Sequence, residues 1–186
     1  MRPRALYARG ASSEVVCVMF ADALRLVLFP ALMAFAASSD LLTMTIPNRV
    51  SLILVGSFFA LAFVSGMSVA DVLSHAGAGA IVLVVAFFCF LRGWIGGGDA
   101  KLAAATALWL GFDYLLDYLV YASLFGGALT LLLLQFRMWP LPRPLSGQAW
   151  AERLHHKETG VPYGIALAAA ALCIYPQTPW MGVLAG

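Results

Sequence analysis

Charge is what this chain has least of. Only 11% of its 186 residues are Asp, Glu, Lys or Arg, and 62% are hydrophobic. An average soluble domain carries roughly 25% charged residues. So little polar material cannot cover a water-facing surface, which points to the bilayer as solvent. The net charge of +2 excludes the strongly basic surface that nucleic-acid binding needs. Cysteine is scarce as well. Cys17, Cys89 and Cys173 lie far apart in apolar stretches, with no CxxC and no Cys/His metal spacing. They read as small buried hydrophobes. No GK[ST] follows the glycine run at 96–98, which excludes a phosphate-binding loop. Ser38 and Ser39 have no plausible histidine base, which argues against a serine nucleophile. There is no internal repeat.

What the chain does have is apolar length. Mean hydropathy is +0.90, and one bilayer crossing takes about 20 apolar residues as a helix. The pattern predicts an all-α, polytopic membrane bundle of about six spans: from 15 or 19 to 37, 50–64, from 69 or 77 to 91, 100–112, 114–136 and 161–175. Pro30 predicts a kink in the first span, where Asp22 and Arg25 are placed to pair on one face. The fourth span is short and requires a thinned bilayer or shelter from neighbouring protein. Trp94, Trp109, Trp139, Trp150 and Trp180 fall near span ends, where indoles favour the interface.

Basic residues orient the bundle. Arg49, Arg92, Lys101, Arg137, Arg143, Arg153 and Lys157 all follow odd-numbered spans. The loops after spans two and four hold Asp71 and Asp113 but no cation. Odd loops are therefore expected in the cytoplasm and both termini outside. Arg2, Arg4 and Arg9 oppose this assignment. Residues 1–18 therefore read as a tail outside the native protein, with Met19 as the start; the alternative is a short basic tail outweighed by the other loops, and 19–186 is the membrane domain. No signal peptide is assigned. The one long polar segment, 137–160, is expected to be a proline-rich loop with a short amphipathic helix near Gln148–His156.

Ionisable groups at membrane depth are costly, which makes them functional candidates. Asp40 closes the first span and Asp99 opens the fourth, at the same expected depth. In Trp94-Ile-Gly-Gly-Gly-Asp-Ala-Lys-Leu102, the glycines Gly96, Gly97 and Gly98 allow an extended backbone to lie against a partner or substrate. Asp99 then occupies an expected N-cap, near the positive end of the helix dipole, with Lys101 adding a nearby positive charge. Asp40 sits at a helix C-terminus, followed by Ile46-Pro47-Asn48, a turn and restart with Asn48 as the expected cap. A carboxylate and a carboxylic acid facing each other can activate water and protonate a carbonyl. Asp99 is the expected base and Asp40 the expected acid. An Asp at a helix start or end is also ordinary capping or interfacial chemistry. Asp71, Asp113 and Asp117 read as interfacial, His75 as an outer-loop residue, and His155 and His156 as solvated rather than metal ligands.

In these residues the chain resembles the type IV prepilin peptidases, membrane aspartyl proteases with a GxGD motif. Gly96–Asp99 fits GxGD, and Ala100-Lys101-Leu102 fits its continuation. Asp40 with Ile46-Pro47-Asn48 fits the first aspartate and its IPN. Val161-Pro162-Tyr163-Gly164 is similar to the family's PYG at the last span. The resemblance covers about residues 20–180. It implies cleavage of a short basic prepilin leader after a glycine, at the cytoplasmic face of the bacterial inner membrane, with Asp40 and Asp99 catalytic. Gly96, Gly97, Gly98, Lys101, Pro47 and Asn48 are expected to shape the site. No metal or organic cofactor is implied. The implied partners are a prepilin with an N-terminal apolar helix, membrane lipid and the pilus assembly machinery. Without the paired CxxC motifs that accompany methyl transfer, the chain looks like the compact CpaA/TadV branch of Flp-type, tight-adherence systems. An alternative is a small ion-coupled transporter with the two aspartates as ion sites, which predicts a repeat that is not found. A non-catalytic subunit of a secretion machine is another.

Overall fold

A computed structural model describes the backbone of residues 4–181 and the side chains of residues 23–181. The expected Asp22–Arg25 pair and the basic tail of Arg2, Arg4 and Arg9 lie outside the described side chains. Arg25 itself donates to Ser65 Oγ. Among the described residues there are six α-helices and no strand. They are α1 (Arg4–Thr43), α2 (Asn48–Val64), α3 (Val69–Leu91), α4 (Gly97–Met138), α5 (Ala149–His155) and α6 (Tyr163–Ile174). Three apolar stretches are long enough to cross a membrane, Ala23–Thr43, Val69–Leu91 and Gly97–Met138, and α2 and α6 are shorter apolar helices.

The first helix runs past its expected end at 37. Nothing in Ser38-Ser39-Asp40-Leu41-Leu42-Thr43 breaks a helix, and the hydroxyls of Ser38 and Thr43 donate back to the carbonyls of Ala34 and Ser39. Pro30 is carried inside α1. The helix stops at Met44, the one non-glycine residue among those described with positive φ, 55°. Asp40 is therefore in the last turn of α1. The cap of α2 is Pro47, in extended conformation, with no side-chain cap. Asn48 is the first helical residue rather than the cap, because Pro47 already places the chain for the helix and leaves the Asn48 amide free to reach elsewhere. The third helix begins at Val69 behind Ser68, whose hydroxyl accepts from Asp71 N–H and donates to the Asp71 carboxylate. His75 is thus on a helix, not in an outer loop.

The fourth and fifth expected spans are joined without a loop. Gly111 adopts φ 68°, ψ −177° inside α4, a backbone state that an L side chain resists. The chain reverses there into segments 97–110 and 112–138. A broken helix frees carbonyls that hydrocarbon cannot satisfy. His75 Nδ1 donates to Leu108 O at 2.9 Å, and Trp180 Nε1 donates to Trp109 O at 2.8 Å. The Trp109 indole in turn donates to Leu54 O at 2.8 Å. Trp109 and Trp180 are therefore buried fasteners of the break, not interfacial anchors as expected. Trp94 and Trp139 are exposed at helix ends as expected.

Segment 97–110 is only about 14 residues, roughly 21 Å long at 1.5 Å per residue. It survives because it is the centre of the bundle: Leu102 through Leu110 are buried throughout. Helices α2, α3 and α6 pack on α4, while α1 packs on α2 and α6. Phe63, Leu116, Leu131 and Leu132 point outward, as lipid-facing residues do.

Candidate active site

Chain direction places the C-terminus of α1 and the N-termini of α2, α4 and α6 at one end of the bundle. Asp40 is buried there, 5% exposed. Its Oδ2 accepts the Gly164 N–H at 2.7 Å. Gly164 is the second residue of α6, and the first N–H groups of a helix have no partner within it. Pro162, the cap of α6, supplies no side-chain hydrogen bond. Asp40 thus caps α6 from a different helix. Only glycine fits at 164: a Cβ there would lie 2.6 Å from Ile46 Cδ1 and 2.8 Å from Asp40 Oδ2.

Asp99 is not the N-cap of α4. Gly96 is the cap, in extended conformation, and Asp99 is the third helical residue. Its carboxyl reaches back to the Gly96 N–H, the return half of a capping box. Nor do all three glycines run extended, since Gly97 and Gly98 form the first helical turn. They serve packing instead. A Cβ on Gly97 would lie 3.3 Å from the Phe90 ring, and one on Gly98 would lie 3.2 Å from Ile46 Cβ. A signal for a helix start was present in GGGD, but the cap position depends on where the chain leaves Trp94 and Ile95.

Ile46 is therefore the meeting point. It packs on Gly98, next to Asp99, and on Gly164, which holds Asp40. Three segments remote in sequence converge on one buried side chain. Asp40, which accepts from Gly164, and Asp99, which follows Gly98, are thereby held around Ile46 at the same end of the bundle. Lys101 Nζ donates to Asn48 Oδ1 at 2.9 Å, so Lys101 and Asn48 tie the start of α2 to the start of α4. Pro47 sets the turn between Ile46 and that tie.

An apolar groove of about 520 Å³ opens beside this end, with Asn48, Ser51 and Lys101 as its polar lining. Its walls come from α2 and α3, and its floor is Ala104, Ala105 and Leu108 of α4. Asp71 and Asp113 are at the opposite end of the bundle, and His155 Nε2 donates to Trp139 O at 2.8 Å. Among the described residues no three His, Cys, Asp or Glu side chains gather as metal ligands.

Ile46 and Gly164 lie in the IPN and PYG motifs, and their place in the site comes from packing between distant segments that the motifs do not express. Nothing in the sequence marked His75 as the partner of the α4 break. The profile of the type IV leader peptidase family matches residues 27–131, more than half of the chain, a span that includes Asp40, Ile46-Pro47-Asn48 and Gly96–Asp99. No curated protein and no solved structure gives a significant match.

Proposed function

We propose that Asp40 and Asp99 are the two catalytic carboxyls of this chain, which belongs to the type IV leader peptidase family, membrane-embedded aspartic peptidases that remove prepilin leaders. The observation that carries this is that Ile46 packs on Gly98, beside Asp99, and on Gly164, whose N–H Asp40 accepts, so that both carboxyls are held around one buried side chain at one end of the bundle. One carboxylate takes a proton from water, and the resulting hydroxide adds to the scissile carbonyl carbon. The other, protonated, donates to the carbonyl oxygen. Collapse breaks the C–N bond, and the amine leaves with a proton from the pair. This mechanism passes protons between two carboxyls, so the base and acid roles belong to the pair.

The substrate in this reading is a Flp-type prepilin, cut after a glycine that ends a short basic leader. The cut is made at the cytoplasmic face of the bacterial inner membrane. The distribution of Arg and Lys over the loops supports that orientation. The apolar segment following the cut stays in the bilayer beside the bundle. The activity assigned to these 186 residues is peptidase chemistry without methyl transfer, as in the compact branch of the family.

The test is co-expression with a Flp-type prepilin, following leader removal by gel mobility for wild type, Asp40→Asn and Asp99→Asn. Asparagine preserves shape and removes the ionisable carboxyl. Wild type is expected to trim the leader, and each variant to leave it intact while reaching the membrane at normal levels. A variant that still cleaves well sinks the two-carboxylate mechanism.

A further inference from the structure

Resting on that reading, we propose that Arg137 is a positioning residue of the site, the knot of a strap that holds Asp40 in place. Arg137 ends α4, in the last turn before the proline-rich loop. Its guanidinium gathers three backbone carbonyls. Nε donates to Leu154 O at 2.8 Å, and Nη2 donates to Thr159 O at 2.8 Å and to Gly160 O at 3.0 Å. Only a planar fork can serve carbonyls lying in different directions from one point.

Each bond leads to Asp40. Gly160 lies four residues before Gly164, and the chain between them is stiff. Pro162 is fully buried, and Tyr163 is seated so close on α4 that a Cβ at Gly126 would overlap its hydroxyl. Fixing 159–160 thus fixes the Gly164 N–H that Asp40 accepts at 2.7 Å. The second route runs through α5. Arg137 holds Leu154, and the neighbouring Arg153 donates through Nη1 to Leu42 O at 2.6 Å. Leu42 is in the last turn of α1, two residues beyond Asp40. The polar loop is therefore not a loose connection. It is fastened to the end of α4 and grips both α1, which carries Asp40, and α6, which donates to it.

A group that acts this way changes turnover rather than substrate affinity. The experiment uses the full chain in lipid nanodiscs with a prepilin, comparing wild type, Arg137→Ala, Arg137→Lys and Arg153→Ala. Amide hydrogen exchange over 161–168 is measured on the same samples. Misplacing a catalytic group by about 1 Å lowers the rate roughly a hundredfold. Arg137→Ala is accordingly expected to lose about tenfold to a hundredfold in kcat, with KM within about twofold. Arg137→Lys keeps the charge without the fork and is expected to lose nearly as much. Arg153→Ala cuts one route of two and is expected to lose less. Exchange over 161–168 is expected to quicken in both Arg137 variants, because the Gly164 N–H loosens. If Arg137→Ala fails to accumulate, the Lys variant and Arg153→Ala carry the same comparison. Wild-type kcat together with wild-type exchange in these variants overturns the proposal, as does a rise in KM with kcat unchanged. A wild-type chain that cuts no prepilin refutes the proposed function instead, while the exchange result still decides whether Arg137 holds Gly164.

Discussion

Gly164→Ala adds one methyl group where α6 meets Asp40, and its consequence can be worked from the contacts. The new Cβ would sit 2.6 Å from Ile46 Cδ1, 2.8 Å from Asp40 Oδ2 and 3.2 Å from Asp40 Cβ. Carbon atoms rest at about 3.5–4.0 Å, so the Ile46 Cδ1 and the Asp40 carboxylate must move aside by up to about 1 Å. Overpacking of this kind costs about 1–3 kcal/mol. The Gly164 N–H is retained, but that movement lengthens its bond to a carboxylate, a class of bond contributing about 1.5–3 kcal/mol. Asp40 is thereby both displaced and released. A displacement of that order lowers kcat roughly a hundredfold. The fold should persist, because the Gly111 break and its partners lie at the far end of the bundle. The assay is prepilin cleavage by purified enzyme, with a melting curve on the same preparation. Gly127→Ala is the control. A Cβ on Gly127 would meet nothing within 4 Å, so its variant should keep wild-type kcat and gain slightly in helix stability, by up to ~1 kcal/mol. If Gly164→Ala turns over within about twofold of wild type, the Asp40–Gly164 clamp is not part of the catalytic geometry.

Two further predictions concern the opposite end of the bundle. Gly111→Ala forces a side chain into φ 68° and places its Cβ 2.9 Å from the His75 ring. It should lower stability by roughly 1–3 kcal/mol, read as a lower melting temperature in detergent. His75→Phe keeps an aromatic ring against Phe58 but leaves Leu108 O without its donor at 2.9 Å. An unpaired buried carbonyl costs about 1–3 kcal/mol, so this variant should melt lower too, whereas a melting point equal to wild type would show that another group satisfies Leu108 O.

Much of the architecture was legible from residue pattern. Apolar runs marked helices, and proline clusters marked the 137–160 loop and its short helix at Ala149–His155. The two aspartates stood out because charge is costly in an apolar span. Errors of one to three residues occurred at helix starts: Asn48 and Asp99 each looked like a cap, and Pro47 and Gly96 are the caps. Side-chain preference at a helix start is a local signal, while the actual start depends on how the preceding turn leaves its neighbours. The tryptophans show the same division. Trp94 and Trp139 are at the surface, but Trp109 and Trp180 are drawn inward by buried carbonyls at and around the Gly111 break, and no local pattern announces that demand.

Composition and order of motifs by themselves determined that this is a helical membrane protein with carboxyls at two span ends, because hydrophobic length and the cost of buried charge are properties of the chain alone. Only the tertiary structure decided what each carboxyl touches. Asp40 meets Gly164, 124 positions away, and Ile46 joins the turn before α2 to the starts of α4 and α6. Such contacts arise from packing between helices, where a missing Cβ on one segment matters only because a side chain from a distant one fills the space.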